Sequence, residues 1–273
     1  MASSQPSNKT TYAQGHDKSF TQTHANRTAQ SDAAFLLPYL KPGMSILDVG
    51  CGPGTITTGF LPYVDSTGSI IGVDYAQAVI DQAQEHSLTT APDAKNVTFQ
   101  VADIYQGLPF EDNTFDVVFS SQVLLHLTDV VSALREMRRV TKPGGIVAVR
   151  DSDSFSFHPF PPGLQKWDDG MWNCIIASKS RGRYIRGFAH EAGFVYENIT
   201  TGAGTTCFST PEQKRWWSEA HMKRFESGDW VRKFREGGFS EEDVQSMKDG
   251  WMEWASDRDG WYVCVQAENL LRK

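Results

Sequence analysis

The chain has 273 residues, 40% of them hydrophobic, a formal net charge of −7 and a sequence pI of about 5.5. This length and apolar content suffice for a substantial core, whereas the acidic balance disfavours nucleic acid as a partner, because binding to phosphate backbones relies on clustered Lys and Arg. The sequence has no apolar run of membrane-spanning length and no signal-peptide pattern, so we expect no membrane span and a cytoplasmic protein.

The N-terminal residues 1 to about 30 are rich in Ser, Thr, Gln and Asn, a composition typical of a mobile tail. A short amphipathic helix is predicted from Ser31 to just before the following "KPG". Apolar runs then alternate with helical patterns, which predict strands at 44–49, 69–73, 97–101, 115–120 and 145–150 and helices at 55–64, 76–87, 128–141 and 183–192. This alternation predicts an α/β fold, a doubly wound parallel sheet with helices on both faces.

The loop after the first predicted strand reads "SILDVGCGPGTIT" over residues 45–57. Ligands of such sheets bind at the carboxyl ends of the strands. Gly50, Gly52 and Gly54 permit a tight turn that a ligand can approach closely, with Cys51 inside the turn and Asp48 directly before it. We therefore expect these residues to contact a ligand.

Acidic residues also follow the next two predicted strands. Asp74 comes twenty residues after Gly54, the spacing of an acid that binds a ribose diol, and Tyr75 beside it is a further candidate contact. Asp103 can accept a hydrogen bond from the exocyclic amine of adenine, while Ile104 offers the ring an apolar surface. The acids could instead be helix caps or turn formers. Together, however, the three strand ends predict a nucleoside site.

The glycine spacing indicates which nucleoside ligand to expect. Dinucleotide enzymes such as dehydrogenases use G-x-G-x-x-G, but here the spacing is G-x-G-x-G and Thr55 stands at the third fingerprint position. Pro53 removes a backbone donor, and Asp48 would repel a pyrophosphate. A cationic ligand suits the turn better, and S-adenosylmethionine combines an adenosine with a sulfonium and an amino group.

The motifs "LDVGCGPGT", "IIGVD", "VADI", "FDVVFSSQVLLHL" and "RVTKPGGIVAV", in this order, resemble those of class I methyltransferases of the UbiE-like branch. The resemblance implies a Rossmann-like, seven-stranded, mostly parallel sheet with a last antiparallel strand, which we assign to residues 260–271. It also implies that Ser120, Ser121 and Gln122 lie near the methionine end of the cofactor. Over its whole length the chain is similar to fungal small-molecule members, including enzymes that S-methylate gliotoxin-type dithiols.

The regions outside the motifs are expected to cover the site. Residues 1–40 are assigned as an N-terminal lid and helix, 41–206 and 260–273 as the core, and 152–180 and 207–259 as insertions that form a helical cap. Tyr12, His24 and Arg27 could close on the cofactor, with Arg27 pairing with its carboxylate.

Candidate acceptor contacts are Asp151 and Phe155 after the fifth predicted strand, and Trp167 and Trp172 in the first insertion. Asp151 could equally be a solvated residue, and the tryptophans could serve only to pack the cap. His126 is a candidate general base, although a lone His in an apolar stretch is commonly a core residue. The four cysteines are scattered without a CxxC pair, so no metal site is predicted.

These observations predict an S-adenosylmethionine-dependent methyltransferase that acts on a small apolar metabolite and releases S-adenosylhomocysteine. S-methylation of a dithiol such as reduced gliotoxin is the leading specific hypothesis, because a thiol ionises without a strong base. Alternatives are C- or O-methylation of a quinone, polyketide, sterol or other aromatic molecule, and a non-catalytic module that only binds S-adenosylmethionine. The sequence leaves the acceptor atom, the number of methyl groups and the oligomeric state open.

Overall fold

The computed structural model of the protein describes residues 26–176 and 182–273. Its seven strands are β1 (Ser45–Val49), β2 (Ser69–Asp74), β3 (Val97–Val101), β4 (Phe115–Ser121), β5 (Thr141–His158), β6 (Ile199–Phe208) and β7 (Trp261–Arg272). They form one sheet in the order β3-β2-β1-β4-β5-β7-β6, in which only β7 runs antiparallel to its neighbours. The predicted seven-stranded, mostly parallel sheet is confirmed. Because the strand order reverses between β1 and β4, a crevice opens at their carboxyl ends.

Ten α-helices lie within the described residues: α1 (Ala29–Asp32), α2 (Thr55–Gly59), α3 (Leu61–Val64), α4 (Gln77–Thr90), α5 (Val130–Val140), α6 (Pro162–Gly170), α7 (Ile185–Glu191), α8 (Pro211–Glu226), α9 (Asp229–Glu236) and α10 (Glu241–Ser256). Single helical turns occur at Leu37–Tyr39, Ile104–Gln106, Leu124–His126, Gly182–Tyr184 and Tyr196–Asn198, and a π-helical turn at Met171–Ile175. Among these helices, none combines the length and apolar character needed to cross a membrane.

The core lies on both faces of the sheet, as the alternation of side chains along each strand requires. Leu47 and Val118 pack with the apolar side of α5 on one face. Ile46 and Val117 pack with Ala29 of α1 and with α2 and α3 on the other. Helices therefore cover both faces of the central strands. Because β1, β2, β3 and β4 run parallel, the loops after them lie along one edge of the sheet.

Two predicted helices differ from those in the structure. The helix predicted from Ser31 is the four-residue α1, which Thr28 caps by accepting a hydrogen bond from the Ser31 backbone N–H at 3.0 Å, followed by the turn Leu37–Tyr39. The helix predicted at 55–64 is divided at Phe60 into α2 and α3. Pro62 lies in the first turn of α3, where its missing N–H removes no helical hydrogen bond.

The fifth strand is much longer than predicted. The predicted strand spans residues 145–150, whereas β5 begins at Thr141 and its pairing with β7 continues from Asp151 opposite Ala267 to His158 opposite Trp261. Residues 152–158 therefore belong to the sheet, and the first cap helix begins only at Pro162. The alternating apolar residues in "SFSFH" form a strand pattern, although this stretch was assigned to the cap insertion 152–180.

The cap consists of α6, the π-helical turn and helices α8 to α10. It packs around an aromatic cluster in which Trp167, Trp230, Trp251 and Trp254 are buried. Phe157 from the extended part of β5 contacts Trp251 and Trp254 edge to face, with ring centroids 5.4 and 5.7 Å apart. The extended part of β5 thus packs against the cap, which lies over the carboxyl end of the sheet.

Candidate active site

The glycine turn after β1 has the backbone that its sequence predicts. Gly50, Gly52 and Gly54 have φ angles of +73°, +54° and +80°, in the left-handed region that favours glycine. A Cβ atom on Gly50 would clash with Val123, and one on Gly54 would lie 3.0 Å from the Phe99 ring. At Gly52 a Cβ would meet nothing within 4 Å. Close packing therefore requires Gly50 and Gly54, whereas Gly52 borders open space that a ligand can occupy.

Asp74 and Asp103 organise the loops to which they belong. The Asp74 carboxylate accepts hydrogen bonds from the backbone N–H groups of Gly52 at 3.3 Å and Ala76 at 3.2 Å. Asp103 accepts one from the backbone N–H of Tyr105 at 2.9 Å. A carboxylate can accept further bonds, so the turn-forming interpretation and the ligand-binding interpretation are compatible for both acids.

Asp48 is a buried carboxyl group beneath the turn, only 2% exposed. The Thr57 hydroxyl donates a hydrogen bond to it at 2.6 Å. The pKa of Asp48 is raised to about 7, mainly by burial; the Thr57 hydrogen bond acts to lower it and the nearby Asp74 charge acts to raise it. A cation bound nearby would stabilise the ionised form, and a second anion would oppose it. The turn is thus suited to the sulfonium and amino end of S-adenosylmethionine.

The loops after β1 to β4 enclose one cleft, which we call the nucleoside cleft. The predicted residues that line it are Arg27, Asp48, Gly50, Cys51, Gly52, Asp74, Tyr75, Asp103, Ile104, Ser121, Gln122 and His126. Gly54 and Ser120 are not among the residues that line the cleft, and Tyr12 and His24 lie outside the described residues. Apolar residues such as Val79 and Val123 complete the lining; nothing in the sequence distinguishes them from other core positions.

A second cavity, of about 640 Å³, lies between the sheet edge and the helical cap, and we call it the cap cavity. Its aromatic lining residues are Phe155, Trp167, Phe208, Trp216, Trp217 and Tyr262. The predicted contact Trp172 does not line it; this ring stacks on Phe155, with centroids 4.9 Å apart, and so supports the wall from behind. A cavity of this size and lining suits a small, flat, apolar molecule.

Three residues line both spaces: Arg27, Gln122 and His126. The nucleoside cleft and the cap cavity are therefore neighbours, and the loop after β4 separates them. Arg27 also lies 3.7 Å from Asp32, measured from Nε to Oδ1. This arrangement lets a molecule in the cap cavity approach the end of a ligand in the nucleoside cleft.

Gln122, at the border between the two cavities, has an unusual backbone conformation and is held in place by hydrogen bonds. Its φ angle is +59°, rare for a residue with a side chain, and its backbone N–H donates to the Arg150 carbonyl at 2.8 Å. Its amide donates to Gln266, and its carbonyl accepts a hydrogen bond from Ser152 at 2.8 Å. A strained residue that its neighbours fix in this way is typical of a functional position.

His126 is partly buried at the same border. Burial, together with the charges of Arg27, Lys233 and Arg224, lowers its pKa to about 3. The imidazole is therefore neutral over the physiological range. A base with so low a pKa removes a proton weakly, which disfavours His126 as a strong general base.

Asp151 lies in the middle of the extended β5 and is completely buried rather than exposed at a rim. One carboxylate oxygen accepts a hydrogen bond from the Leu125 backbone N–H at 3.4 Å, and the other has no hydrogen-bond partner in the described part of the chain. Burial raises the pKa of Asp151 to about 7, although hydrogen bonds from Leu125 and Leu124 lower it. Asp151 thus supports the turn that carries His126 and lines neither cavity.

We expect Asp151→Asn to stabilise the protein more at pH 8 than at pH 5. The pKa of Asp151 is about 7 in the folded chain, above its ordinary value of 3.8, so the wild type loses stability as the pH rises from about 4 to about 7, and the loss is complete above pH 7. The difference between the two gains should be on the order of 2 kcal/mol. Urea unfolding of the wild type and the variant at both pH values measures this difference. Equal gains in stability at pH 5 and pH 8 would contradict the raised pKa of Asp151.

Charged residues that the sequence reading did not single out also border the cap cavity. Asp32 lines it and accepts a hydrogen bond from the buried Arg150 at 2.8 Å, and Arg150 also contacts Glu268 at 3.2 Å. His221 and Arg224 of α8 line it from the cap. The sequence offered no indication of these roles, since a basic residue on an amphipathic helix is ordinarily solvated.

The strand order, the glycine turn and the acids at successive strand ends define a class I methyltransferase. The family model described as a methyltransferase domain matches residues 40–222, and the chain belongs to that family. The predicted S-adenosylmethionine-dependent methyltransferase is therefore confirmed at the level of its class.

Known proteins similar to this chain agree with that assignment. An uncharacterised methyltransferase of Schizosaccharomyces pombe is 35% identical over 99% of both chains. The ubiquinone/menaquinone biosynthesis C-methyltransferase UbiE of Klebsiella pneumoniae is 31% identical over 60% of this chain and 72% of its own. The phosphoethanolamine N-methyltransferase 2 of Haemonchus contortus, solved with phosphomonomethylethanolamine and S-adenosylhomocysteine, shares the fold with a TM-score of 0.56 and 20% identity, over 93% of this chain and 56% of its own. The resemblance to UbiE-like and fungal methyltransferases is thus confirmed.

Proposed function

We propose that this enzyme transfers a methyl group from S-adenosylmethionine in the nucleoside cleft to a small apolar acceptor in the cap cavity. The observation that carries the proposal is that the two spaces share Arg27, Gln122 and His126 along one border. An acceptor in an aromatic cavity beside that border can meet a methyl donor without either ligand leaving its site.

The residues of the nucleoside cleft fit this cofactor. Asp74 would hold the ribose diol, Asp103 and Ile104 the adenine, and Asp48 the cationic end, while Arg27 would pair with the carboxylate. When bound, S-adenosylmethionine supplies a methyl group that its sulfonium already activates. The chain then has to align the acceptor and exclude water, and the buried loop after β4 and the aromatic cap serve both tasks.

The acceptor is proposed to ionise without a strong protein base. Among the described residues that line both spaces, His126 is the titratable group that could accept a proton, and its pKa of about 3 makes it weak. A thiol is partly ionised at neutral pH, which keeps S-methylation of a dithiol such as reduced gliotoxin as the leading specific candidate. The second candidate is C- or O-methylation of a quinone or another acidic aromatic molecule, which the similarity to UbiE favours.

We expect His126→Gln to lower turnover by less than about ten-fold, with little change in S-adenosylhomocysteine affinity, because general bases contribute roughly a hundred-fold or more. The wild-type kcat should follow the ionisation of the acceptor and show no inflection from His126 near pH 6.5, since its pKa is about 3. Steady-state kinetics with calorimetric titration of S-adenosylhomocysteine tests both expectations. A fall of more than a hundred-fold with unchanged binding would instead make His126 the base.

The acceptor panel tests the proposed function directly. Release of S-adenosylhomocysteine from labelled methyl donor is measured with reduced gliotoxin, an aromatic thiol, a catechol and a quinol. Turnover restricted to the thiols would support S-methylation, and turnover restricted to the catechol or quinol would replace it by O- or C-methylation. If the protein binds the cofactor but methylates neither these acceptors nor those of a broader panel, the non-catalytic module is favoured. Tighter binding of NAD than of S-adenosylhomocysteine would overturn the cofactor assignment.

A further inference from the structure

A row of polar side chains crosses one wall of the otherwise aromatic cap cavity. Alternate side chains of β7 point to the same face of the sheet, and on that face Tyr262, Cys264 and Gln266 all line the cavity. Ser152 of β5, which pairs with Gln266 in the sheet, lines the cavity as well. The row ends at Gln122, to which Gln266 is hydrogen-bonded and which also borders the nucleoside cleft.

Gln266 and Ser152 are polar residues in a buried part of the sheet, only 4% and 6% exposed. Burying an amide or a hydroxyl group costs free energy unless the group is hydrogen-bonded. The Ser152 hydroxyl donates to the Gln122 side-chain carbonyl at 2.8 Å, and the Gln266 side-chain carbonyl accepts from the Gln122 amide. Apolar side chains could fill these positions without such a cost, so the amide pair indicates a role beyond packing.

The two amides carry more donors than the described chain uses. A glutamine amide has two N–H groups. In the part of the chain that the structure describes, one N–H of Gln122 donates to Gln266, and one N–H of Gln266 donates to the Cys264 sulfur at 3.2 Å, which is a weak acceptor. For the second N–H of each amide, residues 26–176 and 182–273 provide no hydrogen-bond acceptor.

The row of polar side chains is also uncharged. Burial raises the pKa of Tyr262 well above its usual value and raises the pKa of Cys264, so both side chains stay neutral at physiological pH. A neutral carbonyl oxygen has two lone pairs and can accept two hydrogen bonds. Because the amides of Gln122 and Gln266 are bonded to each other, their nitrogen atoms lie close enough to donate to one such oxygen.

We propose that the methyl acceptor carries a neutral carbonyl oxygen next to its reacting atom, and that the amide N–H groups of Gln122 and Gln266 bind this oxygen. The inference rests on the proposed function and deepens it by naming the substrate class, a small apolar ring molecule with a carbonyl group. Quinones belong to this class, as do thiols with a carbonyl group beside the sulfur-bearing carbon. Since Gln122 borders both cavities, an oxygen bound there holds the neighbouring atom towards the methyl donor.

The test compares indan-1-one with indane, the related hydrocarbon without the carbonyl oxygen, each titrated calorimetrically into the full chain saturated with S-adenosylhomocysteine. Gln266→Met keeps the length of the side chain but removes the amide. We expect this variant to weaken the binding of indan-1-one roughly three- to ten-fold relative to that of indane, the discrimination given by a neutral hydrogen bond. Gln245→Met, the same exchange at an exposed position of α10, should leave both affinities unchanged.

A second variant separates binding of the carbonyl oxygen from support of Gln122. Gln266→Glu keeps an oxygen that accepts from the Gln122 amide but removes the N–H groups of residue 266, so it should lose the discrimination as Gln266→Met does. A third measurement needs no variant. Hydrogen bonds from the two amides should lower the C=O stretching frequency of isotope-labelled indan-1-one bound to the wild type below its value in cyclohexane.

An unchanged ratio of the two affinities in Gln266→Met, failure of indan-1-one to bind the wild type, or a bound C=O frequency equal to that in cyclohexane would each overturn the carbonyl site. Discrimination that survives in Gln266→Glu would overturn it too, because Gln266 would then act only by positioning Gln122. S-adenosylhomocysteine affinity and thermal unfolding show whether each variant is intact, and the infrared measurement decides if neither folds. Loss of S-adenosylhomocysteine binding by the wild type would count against the proposed function instead, so the two failures are distinguishable.

Discussion

Replacing Asp74 with alanine is expected to weaken S-adenosylhomocysteine binding by roughly 1.5 to 3 kcal/mol, or about ten- to a hundred-fold in Kd. The substitution removes charge-assisted hydrogen bonds to the ribose hydroxyl groups. It also removes the acceptor for the Gly52 and Ala76 backbone N–H groups, so the glycine turn loses an anchor. Calorimetric titration of the wild type and the variant measures the change.

Two further variants separate these contributions. Asp74→Asn keeps a side-chain oxygen for the backbone donors while removing the charge, and we expect an intermediate loss of affinity. Asp81→Asn, on the exposed side of α4 in the same region, should leave the affinity unchanged. Unaltered binding by Asp74→Ala would show that another group holds the ribose.

Replacing Arg150 with methionine is expected to lower the free energy of unfolding by roughly 3 to 5 kcal/mol. The Arg150 side chain is 2% exposed and is hydrogen-bonded to Asp32 of α1 and Glu268 of β7, so its removal leaves two poorly exposed carboxylates without their guanidinium. Since Ser31 and Asp32 line the cap cavity, turnover should fall as well. Urea unfolding measures the loss of stability.

Two comparisons test the cause of this loss. The double variant Asp32→Leu with Arg150→Met should recover part of the stability, because replacing both members of a buried pair with apolar groups is far less costly than removing one. Arg232→Met, which breaks exposed ion pairs on α9, should change stability little. A loss in Arg150→Met no larger than that in Arg232→Met would show that the buried cluster is not important for stability.

The loop after β4 joins the two halves of the proposed mechanism. The backbone strain at Gln122, the low pKa of His126 and the buried Asp151 are all found in or against this loop. Groups that are strained or have displaced pKa values cluster at functional sites, and here they lie where the two cavities meet. The same loop can therefore position the acceptor and separate it from water.

The nucleoside cleft was largely predictable from sequence because its determinants are local. Each acid lies at or just after the carboxyl end of a strand, and parallel strands carry these ends to the same edge, so Asp48, Asp74 and Asp103 had to converge. The glycine spacing then specified a backbone with positive φ angles at Gly50, Gly52 and Gly54. Interactions over such short separations follow from chain geometry alone.

The sequence by itself determined the α/β class, strands β1 to β4, part of β5 and the methyltransferase class, and it predicted most of the polar residues that line the nucleoside cleft. Only the tertiary structure decided that β5 continues to His158, that Trp172 lies behind Phe155, and that Asp151 is buried. It alone brought Arg224 and Asp32 to one cavity. The physical reason is that these features depend on side chains from distant segments packing together, and burial, ion pairing and pKa depend on those neighbours rather than on local residue spacing.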